Sequence, residues 1–316
     1  MGGSINNTKR TNPYTGRSSS ILSRIKSTKI TEAIGYHYSL LPSVPKALSG
    51  HAVVMTNYNK LMIIGGNTLT GINAMSGYNP RTGKICYILE NGNWRCHSML
   101  SERRSKALAI SMPNGIYVFG GSTCEFLPNE DSKWITYTDV PKPGFANGHG
   151  LAISSTELLL TGGSFDTIEK QILRFNTQTK DWQSAGEMLE KRSRHSSFLF
   201  KNNVIVTGGL QWQKYTGRAK VSIAITEILS LPDLKPRKAG DLITARHNHG
   251  MGLVKIKGKT VLIAFGGCKI DASGKRELLS SIEEWNEEQE KWVLSKMTLS
   301  EAKEEFGYCS LLSNIQ

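Results

Sequence analysis

Cysteine is scarce in this chain. The five in 316 residues (Cys86, Cys96, Cys124, Cys268 and Cys309) are odd in number, scattered, and form no Cys-x-x-Cys pair. A disulfide framework and a structural zinc site are therefore not expected, and reduced, mostly buried thiols in a reducing compartment are. No apolar run reaches membrane-spanning length and none follows Met1 as a secretory h-region. Neither a membrane span nor a leader is expected, and the expected location is the cytoplasm, with the nucleus as the alternative. Acids are missing from residues 1–31, which are rich in Ser and Thr. That stretch is expected to be a disordered or loosely docked basic tail ahead of one folded unit over 32–316. It lacks the early arginine of a transit peptide, and Asn6 stands where a myristoylation signal wants Ser or Thr. Gly-x-Ser-x-Gly is absent, and no carboxylate pair has a spacing that suggests acid–base work.

Positive charge, by contrast, is abundant. The net charge is +13, and residues 1–46 hold seven Lys and Arg against the single acid Glu32. A basic surface favours acidic proteins, nucleic acid or anionic membrane, or it is simply solvated. Glycine is also plentiful, with 31 residues. Its placement carries the organisation: a strand-like run ends in Gly-Gly five times, at Gly65-Gly66, Gly120-Gly121, Gly162-Gly163, Gly208-Gly209 and Gly266-Gly267. The steps between them are 55, 42, 46 and 58 residues, the scale of a propeller or similar repeat array. Before each run lies another, opening near His51, Ser105, His149, His195 or His249, with turn formers such as Pro113-Asn114-Gly115 between the two. After each come an aromatic and, seven residues on, a tryptophan: Tyr87 and Trp94, Phe175 and Trp182, Trp285 and Trp292. In the first repeat Tyr78 and Ile85 compete with Tyr87 and Trp94 for those places, leaving the assignment open. Leu127 replaces the aromatic in the second repeat, and Lys235-Pro236 the tryptophan in the fourth.

This pattern resembles the kelch repeat over about residues 35–312. The resemblance implies an all-β kelch-type β-propeller, each repeat one blade of four antiparallel strands. A sixth copy of the strand that opens each blade appears at 305–312, and Tyr38 stands thirteen residues before His51 as Trp182 does before His195. The expectation is six blades, the last incomplete and closed by both termini, which would remove exposed sheet edges.

Kelch-like propellers place ligands over the central channel, on the loops between blades. There the chain carries Arg103, Arg104, Arg192, Arg194, Arg246 and Lys303. Converging guanidinium groups suit carboxylates or phosphates. Arginine at that position can equally be a framework residue that pairs with backbone carbonyls or a neighbouring blade. In the loop 210–220, Trp212 and Tyr215 alternate with Lys214, Arg218 and Lys220, either a contact surface or a long variable loop. Glu283, Glu284, Glu287 and Glu288 are expected as a solvated acidic patch. His247 and His249, two apart, would share a face on a strand, but no carboxylate or cysteine adjoins them in sequence and no metal is expected.

The leading expectation is a non-catalytic interaction module, a monomer without cofactor, that grips an acidic segment of a partner protein at a basic channel mouth. Arg104, Arg192, Arg194, Arg246, Trp212 and Tyr215 are the expected contacts. The resemblance implies partner classes such as ubiquitin-ligase substrates or actin-associated proteins, although no BTB-type region precedes the propeller. The alternative is an epimerase- or oxidase-like propeller acting on an anionic sugar in the same mouth, with His149, His247 or His249 as base. The iron-binding Glu-x-x-x-Asp-x-x-x-His pattern of the plant specifier proteins is absent. Nucleic-acid binding rests on charge alone.

Overall fold

Twenty strands form five sheets of four in the computed structural model, which describes residues 42–46, 48–68, 83–141, 145–164, 167–213, 219–304 and 308. Blade I comprises Ala52–Met55, Leu61–Ile64, Cys86–Glu90 and Asn93–Cys96. Blade II comprises Leu108–Met112, Gly115–Phe119, Thr123–Leu127 and Ile135–Asp139. Blade III comprises His149–Ala152, Glu157–Thr161, Gln171–Asn176 and Trp182–Glu187. Blade IV comprises Ser196–Phe200, Asn203–Thr207, Thr226–Ser230 and Lys235–Lys238. Blade V comprises Gly250–Ile256, Lys259–Phe265, Ser281–Asn286 and Lys291–Thr298. Every pairing is antiparallel and follows chain order. Among the described residues there is no helix, and so none long and apolar enough to cross a membrane.

First strands of successive blades touch one another from I to V, so they line the centre, while fourth strands such as Asn93–Cys96 and Lys235–Lys238 lie at the exposed periphery. Because strand side chains alternate between faces, each sheet is apolar on both sides and the core lies between blades. Val54, Met62 and Ile88 of blade I meet Ile116, Val118 and Leu127 of blade II. Phe119 of blade II meets Leu160 and Phe175 of blade III in the same way. The outward faces of blades I and V carry smaller clusters, around Ile63 and Tyr87 and around Ile263 and Phe265.

Five blades, rather than the six expected, are what the described residues contain. The strand-like stretch 305–312 falls outside the described residues apart from Tyr308. Tyr38 and the tail 1–31 fall outside them too. Tyr308 lies against three blades: its Oη is 3.2 Å from both His149 Nε2 and Ser196 Oγ, and its ring meets Phe265 edge-on at 5.6 Å.

The register resolves the first repeat. Trp94 pairs with Leu89 across a hairpin that turns at Asn91-Gly92, both with positive φ, so Leu89 and not Tyr87 occupies the aromatic position. Phe175 faces Trp182 and Trp285 faces Trp292, while Pro236 faces Leu229 where tryptophan is missing.

Candidate functional site

Gly-Gly and the interblade arginine are two halves of one seam. The second glycine donates its N–H to the next blade's entry loop: Gly66 to the Arg104 carbonyl at 2.9 Å, Gly163 to Arg192 at 2.9 Å, Gly209 to Arg246 at 2.8 Å. Gly121 makes the same bond to Phe145 at 3.2 Å and Gly267 to Lys303 at 2.7 Å. The first glycine makes room. A Cβ on Gly65, Gly162 or Gly208 would lie 2.5, 2.5 or 2.4 Å from that same arginine carbonyl, and all three residues have φ between 54° and 65°.

The arginine side chains turn away from the mouth. Arg104, Arg192 and Arg246 are at most 1% exposed, each meeting a glutamate on its own blade's third strand. Arg104 Nε is 2.9 Å from Glu125 Oε1, Arg246 Nη2 is 2.6 Å from Glu283 Oε1, and Arg192 bonds Glu227. Each glutamate also accepts two backbone N–H groups from the loop, as Glu227 does from Leu189 at 2.6 Å and Glu190 at 3.1 Å. The guanidinium groups bond further carbonyls, Gly208 and Ile225 for Arg192 and Gly266 and Ser281 for Arg246. Burial draws the Arg192 and Arg246 pKa values down, and the paired glutamates oppose the shift. These three arginines, expected as contacts, are thus enclosed in the framework with their hydrogen-bonding capacity directed inward. Glu283, expected in a solvated patch, is fully buried.

Two blades lack the pair, and they lack both halves. In blade III the arginine position holds Phe145, and the glutamate position, set by the pairing of Leu160 with its neighbour, holds Leu173. In blade I the corresponding residues are Leu48 and Tyr87. A buried charge without its partner is far costlier than an apolar pair of similar size, so the positions change together. A second coupled pair lies beside it. His195 Nε2 and His249 Nε2 are each 2.9 Å from the hydroxyl of a threonine that precedes Gly-Gly in the previous blade, Thr161 and Thr207. Where that residue is Ile64 or Phe119, the next blade has Ala107 or Gly148 at the position of the histidine.

The candidate bases are therefore dispersed. His149 lies one residue beyond the register of His51, His195 and His249, and that slip turns its ring onto Ser197 Oγ at 2.8 Å and Tyr308. His247 and His249 do not share a face, because Asn248 between them has φ 51°. Burial holds His51 and His149 at about 4 and takes His195 and His249 well below the ordinary histidine value.

What faces the mouth is a different set of cations. One residue per blade at the channel entry has positive φ: Gly50, Lys106, Asn147, Arg194 and Asn248. Backbone bonds join them between blades, Lys106 N to Gly50 O at 2.7 Å, Arg194 N to Asn147 O at 2.5 Å and Asn248 N to Arg194 O at 2.9 Å. Glycine and asparagine take this conformation readily, whereas lysine and arginine bear about 1 kcal/mol for it. Lys220, on the arm that follows Gly208-Gly209, belongs to the same cluster. Its pKa is lowered first by burial, then by the charges of Arg194 and Lys106. The arm is a hairpin of Leu210–Trp212 and Lys220–Ser222, and the Lys220 ammonium lies over the Trp212 ring at 4.7 Å. Trp212 is 44% exposed and borders a cleft of about 330 Å³ with Ile168, Lys170, Leu189, Glu190, Lys191 and Gln211. Arg194 and Trp212, two of the expected contacts, thus lie on this surface, while Tyr215 falls outside the described residues. Lys220 was already noted in the loop 210–220, whereas Lys106 was not singled out, because equivalence at the entry position is visible only once the blades are superposed.

Comparison with known proteins agrees with the architecture. No family model matches the chain. Over 165 residues it is 22% identical to Kelch-like protein 25 of Xenopus tropicalis, which covers 48% of this chain and 27% of that protein. Over 169 residues it is 24% identical to beta-scruin of Limulus polyphemus, covering 51% of this chain and 17% of that protein. Alpha-scruin of the same organism is 24% identical over 127 residues, 40% of this chain and 13% of its own length. The matches therefore span about a quarter or less of those longer proteins.

Proposed function

Since the chain is a kelch-type β-propeller, we propose that it is a non-catalytic protein-interaction module that takes an acidic segment of a partner at its channel mouth. The observation that carries this reading is the cluster of Lys106, Arg194 and Lys220, cations from two blades and an arm, close enough that Arg194 and Lys106 add to the burial that lowers the Lys220 pKa. An anion placed among them would gain charge-assisted hydrogen bonds from ammonium and guanidinium groups. Trp212 and Leu189, large apolar side chains 44% and 49% exposed beside the cluster, suit an acidic peptide with an apolar anchor. The relatives' names contribute only the expectation of an interaction propeller.

The test compares wild type with a K106E/R194E/K220E variant, checked for folding by its unfolding midpoint. Affinity purification with mass spectrometry reads out the partners, and titration with a fluorescent Glu-rich peptide at several salt concentrations reads out the charge contribution. Loss of both partner recovery and peptide binding in the variant supports the mouth. Unchanged partners would refute it. Partners displaced by nuclease treatment would replace it with nucleic-acid binding, whose affinity falls steeply with salt.

A further inference from the structure

A second constellation lies where Lys303 and Glu304 meet blade V. His247, Cys268 and Glu304 bring an imidazole nitrogen, a thiol sulfur and a carboxylate oxygen within 4.8 Å of one another, from a loop, a hairpin arm and the terminal segment. Both His247 and Cys268 are buried. Ser222 Oγ accepts the Ile270 N–H at 2.8 Å and lies 2.8 Å from His247 Nδ1, so that side of the ring is held by a hydrogen bond to the hydroxyl. The other ring nitrogen, Nε2, faces Glu304 Oε2 at 3.8 Å. Asn248 Nδ2 donates to the same carboxylate oxygen at 3.2 Å and fixes its direction. A positive group already occupies the space: Arg276 Nε donates to Cys268 Sγ at 3.2 Å and its guanidinium pairs with Glu304. That side chain is 48% exposed and enters from solvent.

We propose that His247 Nε2, Cys268 Sγ and Glu304 form a site for a divalent metal of zinc type, which binds by displacing the Arg276 guanidinium. Nitrogen, thiolate sulfur and carboxylate oxygen are zinc donors, and the Ser222 hydroxyl at His247 Nδ1 orients the ring from its far side. Ligand atoms around tetrahedral zinc stand about 3.5 Å apart, so closing the present arrangement takes a shift of about 1 Å or slightly more. Glu304 can supply that shift because it lies on the terminal segment, one residue beyond the Lys303 carbonyl that Gly267 grips. A bound metal therefore ties Glu304 to the body of blade V.

The test uses the untagged full chain, stripped with a chelator and titrated with Zn²⁺ against a chromophoric competitor, with Co²⁺ as spectroscopic probe. About one equivalent should bind, with a thiolate-to-cobalt absorption band in the near ultraviolet and a rise in the unfolding midpoint. C268A should lose the band, E304Q should weaken zinc binding by about tenfold or more, and R276A should tighten it by removing the competitor. If C268A does not fold, E304Q and R276A decide between them. Absence of binding in the wild type, a cobalt band that survives in folded C268A, or zinc affinity unchanged in both E304Q and R276A would overturn the assignment.

Discussion

Replacing Arg192 with leucine removes one half of a fully buried ion pair. The Glu227 carboxylate keeps the N–H groups of Leu189 and Glu190 but loses its counter-charge, while the Gly208 and Ile225 carbonyls lose a donor. Breaking a buried pair by removing one partner costs about 3–5 kcal/mol. At about 2.1 cal/mol/K of unfolding entropy per residue over the described part of the chain, 4 kcal/mol lowers Tm by roughly 8 °C. E227L should cost a similar amount for the converse reason, an uncompensated guanidinium. The informative variant is the double replacement R192F/E227L, which copies the Phe145 and Leu173 arrangement of blade III into blade IV. Backbone groups that the pair served remain unpaired, so the double variant is not neutral. It should nevertheless be less destabilised than the sum of the singles by about 2–3 kcal/mol, the coupling expected of contacting residues. Urea unfolding of the four proteins gives the cycle directly. Additivity within about 0.5 kcal/mol would refute the argument that the two positions change together because of charge burial.

Acid should weaken the fold through the histidines. Those at 51 and 149 have folded pKa values of about 4 and those at 195 and 249 lie lower, so between pH 6.5 and 4 the unfolded chain binds more protons than the folded one. Stability therefore falls as pH drops from about 6.5 towards 4. A Tm series across that range checks it, and a flat profile would show that the histidines are not buried neutral. G208A should be strongly destabilising, because its Cβ would stand 2.4 Å from the Arg246 carbonyl at a φ of +62°, with backbone strain alone about 1–3 kcal/mol. The urea midpoint reads it, alongside G258A, whose Cβ meets nothing within 4 Å. W212A should weaken a bound partner by about 2 kcal/mol while leaving Tm within about 1 °C, because its ring is exposed.

The blades were legible because both signals that mark them are local. A strand run ending in Gly-Gly records a backbone approach too close for any side chain, and the hairpin before it is announced by turn residues. Trp94, Trp182 and Trp292 lie on fourth strands as expected, and the aromatic of the first repeat, left open between Tyr78 and Tyr87, is replaced by Leu89 because a tight Asn91-Gly92 turn shortens that hairpin. The direction of the arginine side chains was not legible. Arg192 and Arg194 are two residues apart in one loop, yet one is buried against Glu227 and the other stands at the channel entry. The difference is the positive φ at Arg194, a backbone fact with no sequence mark on an arginine. The partners of Arg104, Arg192 and Arg246 are also distant, at separations of 21, 35 and 37 residues, within strands that otherwise look like ordinary apolar runs.

Those separations have an evolutionary corollary. Arginine and glutamate of each pair fall inside a single repeat when the chain is cut ahead of the arginine, and so do Phe145 with Leu173 and Leu48 with Tyr87. What one repeat lends its neighbour at the seam is a glycine N–H offered to a main-chain carbonyl, a bond that any residue type can accept. A repeat copied or transposed within such a gene therefore arrives with its own counter-ion and a universal connector, and rings of mixed electrostatic type can be assembled by duplication without leaving a buried charge alone.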